Sequence, residues 1–348
     1  QRFISIAHLY NACHSEDTLA AWRHATARIL NSLSWKPEPV RIEPVDEART
    51  ILRVDLDHVG WLPTHWERIM QAAPGGGVAA FNLPQSVREA FKTRSPVARA
   101  DWLANVVMKA PLYYDLLGLP EIAPEILKIL QVDADAQRRS GTVARTAVRS
   151  SHYARAGRMI ERYALPRGML WMTLDAAPRE GQRDLAETAT GAGTPPHDIS
   201  EGLFALPNGM PAFFVANGRG ARLDRVAPEI THRDVAPRGG VRAGLDCMAC
   251  HASGPAFSAD ERAAGANGLG AAANGDRTVV RAAIGGAGIT PDLTVGGVEA
   301  VTALAHQFTR PLTVDRLAAE LGVERAALVA IAEDDKNPVS LLVRRATQ

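Results

Sequence analysis

Cys247-Met248-Ala249-Cys250-His251 places two thiols three positions apart and an imidazole directly after the second. Thiols at that spacing can add to the two vinyl groups on one edge of a porphyrin, and the next residue can turn its imidazole onto the iron as proximal ligand. Small Ala249 leaves room beside the ring. With 3 cysteines and 10 histidines in 348 residues, the pattern is expected by chance roughly 0.0007 times. A zinc site would use the same thiols but wants two further ligands, usually another close Cys/His pair, and none lies near in sequence. A redox-active C-x-x-C wants a βαβ setting, whereas the surrounding sequence reads as a hairpin before the motif and a Gly-rich stretch after it.

On residues 247–251 the chain resembles a c-type cytochrome, with a looser likeness over the stretch that follows. The resemblance implies one covalent haem c with its iron, held by Cys247, Cys250 and His251 and installed after export to the periplasm or its equivalent. It also implies electron transfer to or from a redox partner protein. The start at Gln1, with no apolar leader, is what a mature exported protein whose signal peptide has been removed is expected to show. Residues 2–12 (RFISIAHLYNA), 30–35 (LNSLSW), 206–224 (LPNGMPAFFVANGRGARLD) and 245–251 (LDCMACH) are also similar to a family of exported CxxCH proteins of undefined role. That likeness implies one continuous architecture and supplies no activity.

Many c-type cytochromes take a downstream methionine as second axial ligand, but this chain has none after Met248. Four arrangements stay open: His306, the sole histidine after the motif; Met210, at the tip of a hairpin expected over 203–216; a histidine from elsewhere, such as His232 or His152; and an open position. Two strong axial ligands suit outer-sphere electron transfer. An open site suits a peroxidase- or oxygenase-like enzyme, or a gas or ligand sensor. For the enzyme reading His152, Arg155 and Arg158 are the catalytic candidates, because a distal imidazole or guanidinium can assist cleavage of a bound peroxide.

Arg155 and Arg158 belong to a run that also holds Arg138, Arg139, Arg145, Arg149, Arg162 and Arg167, with Glu161 as the acid among them. Such a run can steer an acidic partner or hold haem propionates, or it can be a solvated face balanced by acids elsewhere. Cys13-His14 repeats the end of the haem motif with Tyr10 in place of the first thiol. It reads either as a single-thioether site for a second haem or as a lone cysteine beside a histidine.

The elements that must carry these residues point to an α+β fold. Domain 1–234 is expected to be helical to about residue 135, with antiparallel hairpins over about 156–226; a mostly helical c-type haem domain follows at 235–348. Apolar spacing predicts helices over 17–35, around Trp66, through much of 84–131, and at 297–308, 313–321 and 324–333. Residues 50–56, 156–164 and 168–175 read as strands, and Asn208-Gly209 marks a hairpin turn between 203–207 and 211–216. Gly75-Gly76-Gly77 and residues 178–200 read as loops, and the Gly-rich segment 254–297 as a long loop draped over a cofactor. Hydrophobic residues at 46% allow a packed core, and the formal net charge of +1 lacks the basic surplus of a general nucleic-acid binder. No apolar run is long enough for a transmembrane span, and three cysteines exclude a disulfide-stapled scaffold.

Overall fold

The computed structural model describes residues 1–72, 89, 92, 96–149, 151, 153–166, 168–178, 185, 193–232, 239–262 and 267–347. They fall into two units of interleaved sequence. One comprises Gln1–Ile29, Arg41–Val106 and Leu293–Gln348; the other comprises Leu30–Val40 and Val107–Asp292. The mixture of helices with antiparallel strands makes the class α+β.

In the first unit β1 (Arg2–Ser5), β2 (Glu43–Pro44), β3 (Ile51–Val54) and β4 (Val97–Arg99) form a sheet in the order β2-β3-β1-β4. β1 runs antiparallel to β3 and parallel to β4. The N-terminal region is therefore not purely helical. β1 has only four residues, too few for a period-2 signal to stand out, yet it buries Ile4 against Leu52 and Ala98. The helix expected at 17–35 runs Glu16–Asn31; its first turn carries Glu16 and Asp17, and the Ser15 hydroxyl accepts from the Thr18 amide. Trp66, Ile69 and Met70 form the buried face of helix Pro63–Gln71. Gly75-Gly76-Gly77 lies outside the described residues. Helices Ala300–Thr309, Val314–Leu321 and Arg325–Glu333 follow the expected positions, and a further one spans Ser340–Ala346.

The second unit is built on an antiparallel meander: β5 (Ala144–Val148), β6 (Arg158–Ala164), β7 (Met169–Asp175), β8 (Ile199–Ala205), β9 (Pro211–Asn217) and β10 (Arg222–Leu223), each paired with its sequence neighbour. The Asn208-Gly209 turn joins β8 to β9, with Gly209 at a φ of 80° that a side chain would resist. Because β10 is short, two tyrosines complete the edge of β9. Tyr113 Oη accepts from the Phe213 amide at 3.0 Å, and Tyr114 Oη accepts from the Val215 amide at 3.0 Å while donating to the Leu223 carbonyl. One face of the sheet buries Met159, Tyr163, Leu170, Met172, Phe204 and Ala212.

The expected loop over 254–297 is corrected by a 20-residue helix, Asn267–Gly286. Its glycines at 268, 270, 275, 285 and 286 look onto open space, where a missing side chain loses no packing. Leu269, Ala273, Val280 and Ile284 recur on one helical face and are buried, so burial of that stripe outweighs the low helix propensity of glycine. The Gly285-Gly286-Ala287-Gly288 run is this helix's C-terminal end, with Gly288 at a φ of 74°.

Candidate haem site

The C-x-x-C-H motif lies in a short helix, Leu245–His251, entered from the ribbon of β11 (Arg225–Val226) and β12 (Val241–Arg242). Gly244 sets the entry. Its φ is 94°, and a Cβ there would come within 2.3 Å of the Met108 carbonyl oxygen, which accepts the Leu245 amide at 2.5 Å. The Asp246 carboxylate folds back to accept the Arg242 amide at 2.7 Å. Gly244→Ala is expected to destabilise the second unit by about 2–4 kcal/mol, from positive φ plus overlap with buried backbone. Urea unfolding midpoints would check this; an unchanged midpoint would show that the entry turn relaxes freely.

Helical spacing of three and four puts Cys247, Cys250 and His251 on one side of this helix. Leu245 and Met248 are buried on the other. All three motif side chains line a cavity of about 430 Å³, within the range of small-molecule and cofactor sites. The sheet supplies another wall, where strand register sets the lining residues in rows: Trp171, Leu203 and Phe213, then Ile160, Thr173 and Glu201. Arg162 and the Trp171 indole both donate to Asp276 of the long helix, which fixes the indole, and Phe257 stands edge-on to it at 5.6 Å. The strap Pro255–Ser258 closes a further side, so the start of the Gly-rich segment does cover the cavity.

Cys247 is buried and Cys250 exposed. Burial pushes both thiols up, so they stay protonated, opposite to the lowered thiol of a redox-active C-x-x-C. Among the described residues no group of three or more His, Cys, Asp or Glu could hold a metal ion. His251 Nδ1 lies 3.3 Å from the Gly254 carbonyl oxygen. With Nδ1–H donated to that carbonyl, Nε2 is left with its lone pair for iron. Burial lowers the imidazole's proton affinity, which keeps it in that neutral form. Two protonated thiols and a carbonyl-oriented neutral imidazole, on one side of an aromatic-lined cavity, fit a covalently attached haem.

At the other end of the cavity four charged groups converge. Arg158 donates through Nε and Nη2 to the Asp175 carboxylate at 2.9 and 2.8 Å, and through Nη1 to Glu261 at 3.0 Å. Its Nη2 lies 3.4 Å from Glu201, and its guanidinium sits 4.9 Å over the Tyr153 ring. Tyr153 Oη donates to Glu201 at 3.1 Å, and Ser151 Oγ to Glu261 at 2.9 Å. The carboxylates differ in character. Burial, then the neighbouring Asp175 charge, pushes Glu201 up to about 8. Burial would also raise Glu261, but Arg158, the Ser258 amide and Ser151 outweigh it and hold Glu261 below its ordinary value.

Arg158 therefore lines the cavity, whereas Arg155 is exposed and His152 lies outside the described residues. Met210 is fully buried at the hairpin tip and is not on the cavity wall. His306 is exposed on helix Ala300–Thr309 of the other unit. His232 is exposed, its amide bonded to the Tyr153 carbonyl. Among the described residues the cavity wall carries one imidazole, that of His251, and no thioether. Cys13 and His14 belong to the first unit, where exposed Cys13 has a φ of 58° and His14 stands edge-on to Trp22. Much of the arginine run is neutralised within the unit. Arg138 and Arg145 reach Glu161, Arg162 reaches Asp276 and Arg158 the three carboxylates; Arg167 lies outside the described residues.

Sequence reading missed Tyr153, Asp175, Glu201 and Glu261. Two of them carried a signal. Glu201 occupies an apolar register position between Ile199 and Leu203, and Ser258-Ala259-Asp260-Glu261 is a capping box whose reciprocal bonds the structure shows. No family model matches the chain, and neither a curated protein nor a solved structure does.

Proposed function

We propose that this chain is an exported monohaem c-type cytochrome that passes single electrons to or from a redox partner protein. The observation carrying the reading is the motif helix, which sets Cys247, Cys250 and His251 together on the wall of one aromatic-lined cavity. When bound, haem supplies a one-electron iron couple. Cys247 and Cys250 anchor its edge, His251 is oriented by Gly254 to ligate the iron, and Trp171, Phe213 and Phe257 exclude water from the ring. Ala249 and Cys250 are exposed, so this side of the motif helix is where a partner could approach for outer-sphere transfer.

A second reading draws on the polar end of the cavity. Tyr153, Arg158 and Glu201, with no second imidazole or thioether on the described wall, suit an iron that takes a small exogenous ligand, as in a peroxidase-like enzyme or a sensor.

Chain matured in a host that attaches haem is expected to be heavier than the bare polypeptide by roughly 0.6 kDa, the mass of one haem. Bare polypeptide mass would end the proposal, and twice the increment would assign a second haem to Cys13-His14. A ferric spectrum indifferent to cyanide supports the electron-transfer reading. A high-spin spectrum that shifts with cyanide supports the second.

A further inference from the structure

The proposed function uses the thiols, the imidazole and the aromatic wall. It leaves unexplained a cluster that costs free energy to build. Strand alternation turns Glu201 inward between Thr173 and Val215, into the same cavity as Cys247 and His251. One guanidinium there faces three carboxylates, so Arg158 cannot neutralise them all. Arg158 holds Asp175 through two short bonds and Glu261 through one, while Glu201 has only a 3.4 Å approach. Glu201 is also only 18% exposed, so water compensates the shortfall only in part. The least-paired acid of the cluster is thus the one that shares the cavity with the haem motif.

We infer that Glu201 is a proton-binding site linked to the electron carried at the haem, so that this protein takes up a proton as it is reduced and releases it as it is oxidised. The inference rests on the haem reading above. Its physics is charge neutrality in a confined, poorly solvated space. One-electron reduction adds one negative charge to the cavity, which disfavours a second negative charge at Glu201. Binding linkage is reciprocal, so a bound proton must then favour the electron. The step balances as oxidised protein plus one electron plus one proton giving reduced protein with Glu201 protonated. The electron comes from the redox partner and the proton from solvent.

The groups facing Glu201 define what else could titrate. They are Asp175 of β7 and Arg158 of β6, the Tyr153 hydroxyl, Glu261 beyond Arg158, and Cys247 and Cys250 on the motif helix, whose Asp246 also lines the cavity. Both cysteines are removed from this set once their sulfurs are thioethers. Arg158 keeps its charge throughout, and burial holds the Tyr153 hydroxyl protonated far above neutral pH. Burial together with the adjacent Asp175 charge holds the Glu201 proton near neutral pH, which places its titration in an accessible window.

Potentiometric titration of the holoprotein across pH tests the assignment. The midpoint potential is expected to fall as pH rises through the neutral range, with proton affinity differing about tenfold or more between redox states, equivalent to about 59 mV or more in total. Glu201→Gln, which keeps shape but cannot ionise, should flatten this dependence. Tyr153→Phe removes a hydrogen bond that favours the carboxylate and should move the pH window upward; it serves if Glu201→Gln fails to fold. Reduced-minus-oxidised infrared spectra should show a protonated carboxyl band that vanishes in Glu201→Gln. A pH-independent midpoint in wild-type holoprotein overturns the inference, as does a dependence that survives Glu201→Gln, which would place the proton on a haem propionate or another residue. A chain that carries no haem overturns the parent reading, and this one with it.

Discussion

Replacing Cys247 and Cys250 together by alanine is expected to abolish covalent retention of haem. Wild-type protein should keep its colour through acid–acetone extraction and denaturing electrophoresis, and the double variant should release all of it. The expectation follows from the motif helix, which sets both sulfurs on the side that lines the cavity with His251 one residue on. Each single variant retains one thioether and should stay coloured, with a shifted pyridine haemochrome band because one vinyl group is left unsaturated. Haem that resists extraction from the double variant would mean that the attachment lies elsewhere in the chain, with Cys13 the remaining thiol.

Arg158→Met is expected to cost about 3–5 kcal/mol at neutral pH. The methionine fills similar volume, but buried Asp175 and, on the cavity wall, Glu261 are left without their cation. The pH dependence has a definite sign. Glu261 is held below its ordinary value in the folded protein, so it adds stability above its unfolded pKa, and that stability fades as pH falls through the folded value. Without Arg158 the carboxyl is pushed up by burial, so protonating it relieves the variant. The gap between wild type and variant should therefore be widest near neutral pH and narrow toward pH ~4.5, as carboxylates titrate. Urea unfolding at both pH values checks this; a loss under about 1 kcal/mol at neutral pH would show that water or a shifted side chain replaces the guanidinium.

Parts of this architecture were legible because local chemistry dictates them. Asn208-Gly209 announces its turn, since Gly209 must adopt a positive φ, and the apolar stripe of Glu16–Asn31 announces its helix. The C-x-x-C-H motif stands out in the sequence because its reactive groups are contiguous. The helix Asn267–Gly286 is hidden, because its glycines signal a loop more strongly than Leu269, Ala273, Val280 and Ile284 signal a buried face. Four-residue β1 and the outermost strand β5 were too short or too polar for alternation to show. The acidic end of the cavity was hardest to see. Tyr153, Arg158, Asp175, Glu201 and Glu261 come from separate segments, and only the register of β6, β7 and β8 brings most of them into one place.

The interleaving of the two units has a consequence for how the chain matures. The unit that holds the C-x-x-C-H motif is complete once residue 292 has emerged, whereas the unit built on Gln1–Ile29 must wait for Leu293–Gln348. A chain translocated from its N-terminus would thus close the cavity beside the motif before its opening segment finds its closing partners, such as the bond from Asn11 to the Glu320 carbonyl. Truncation after 292 should accordingly spare haem loading while leaving that opening segment open to protease.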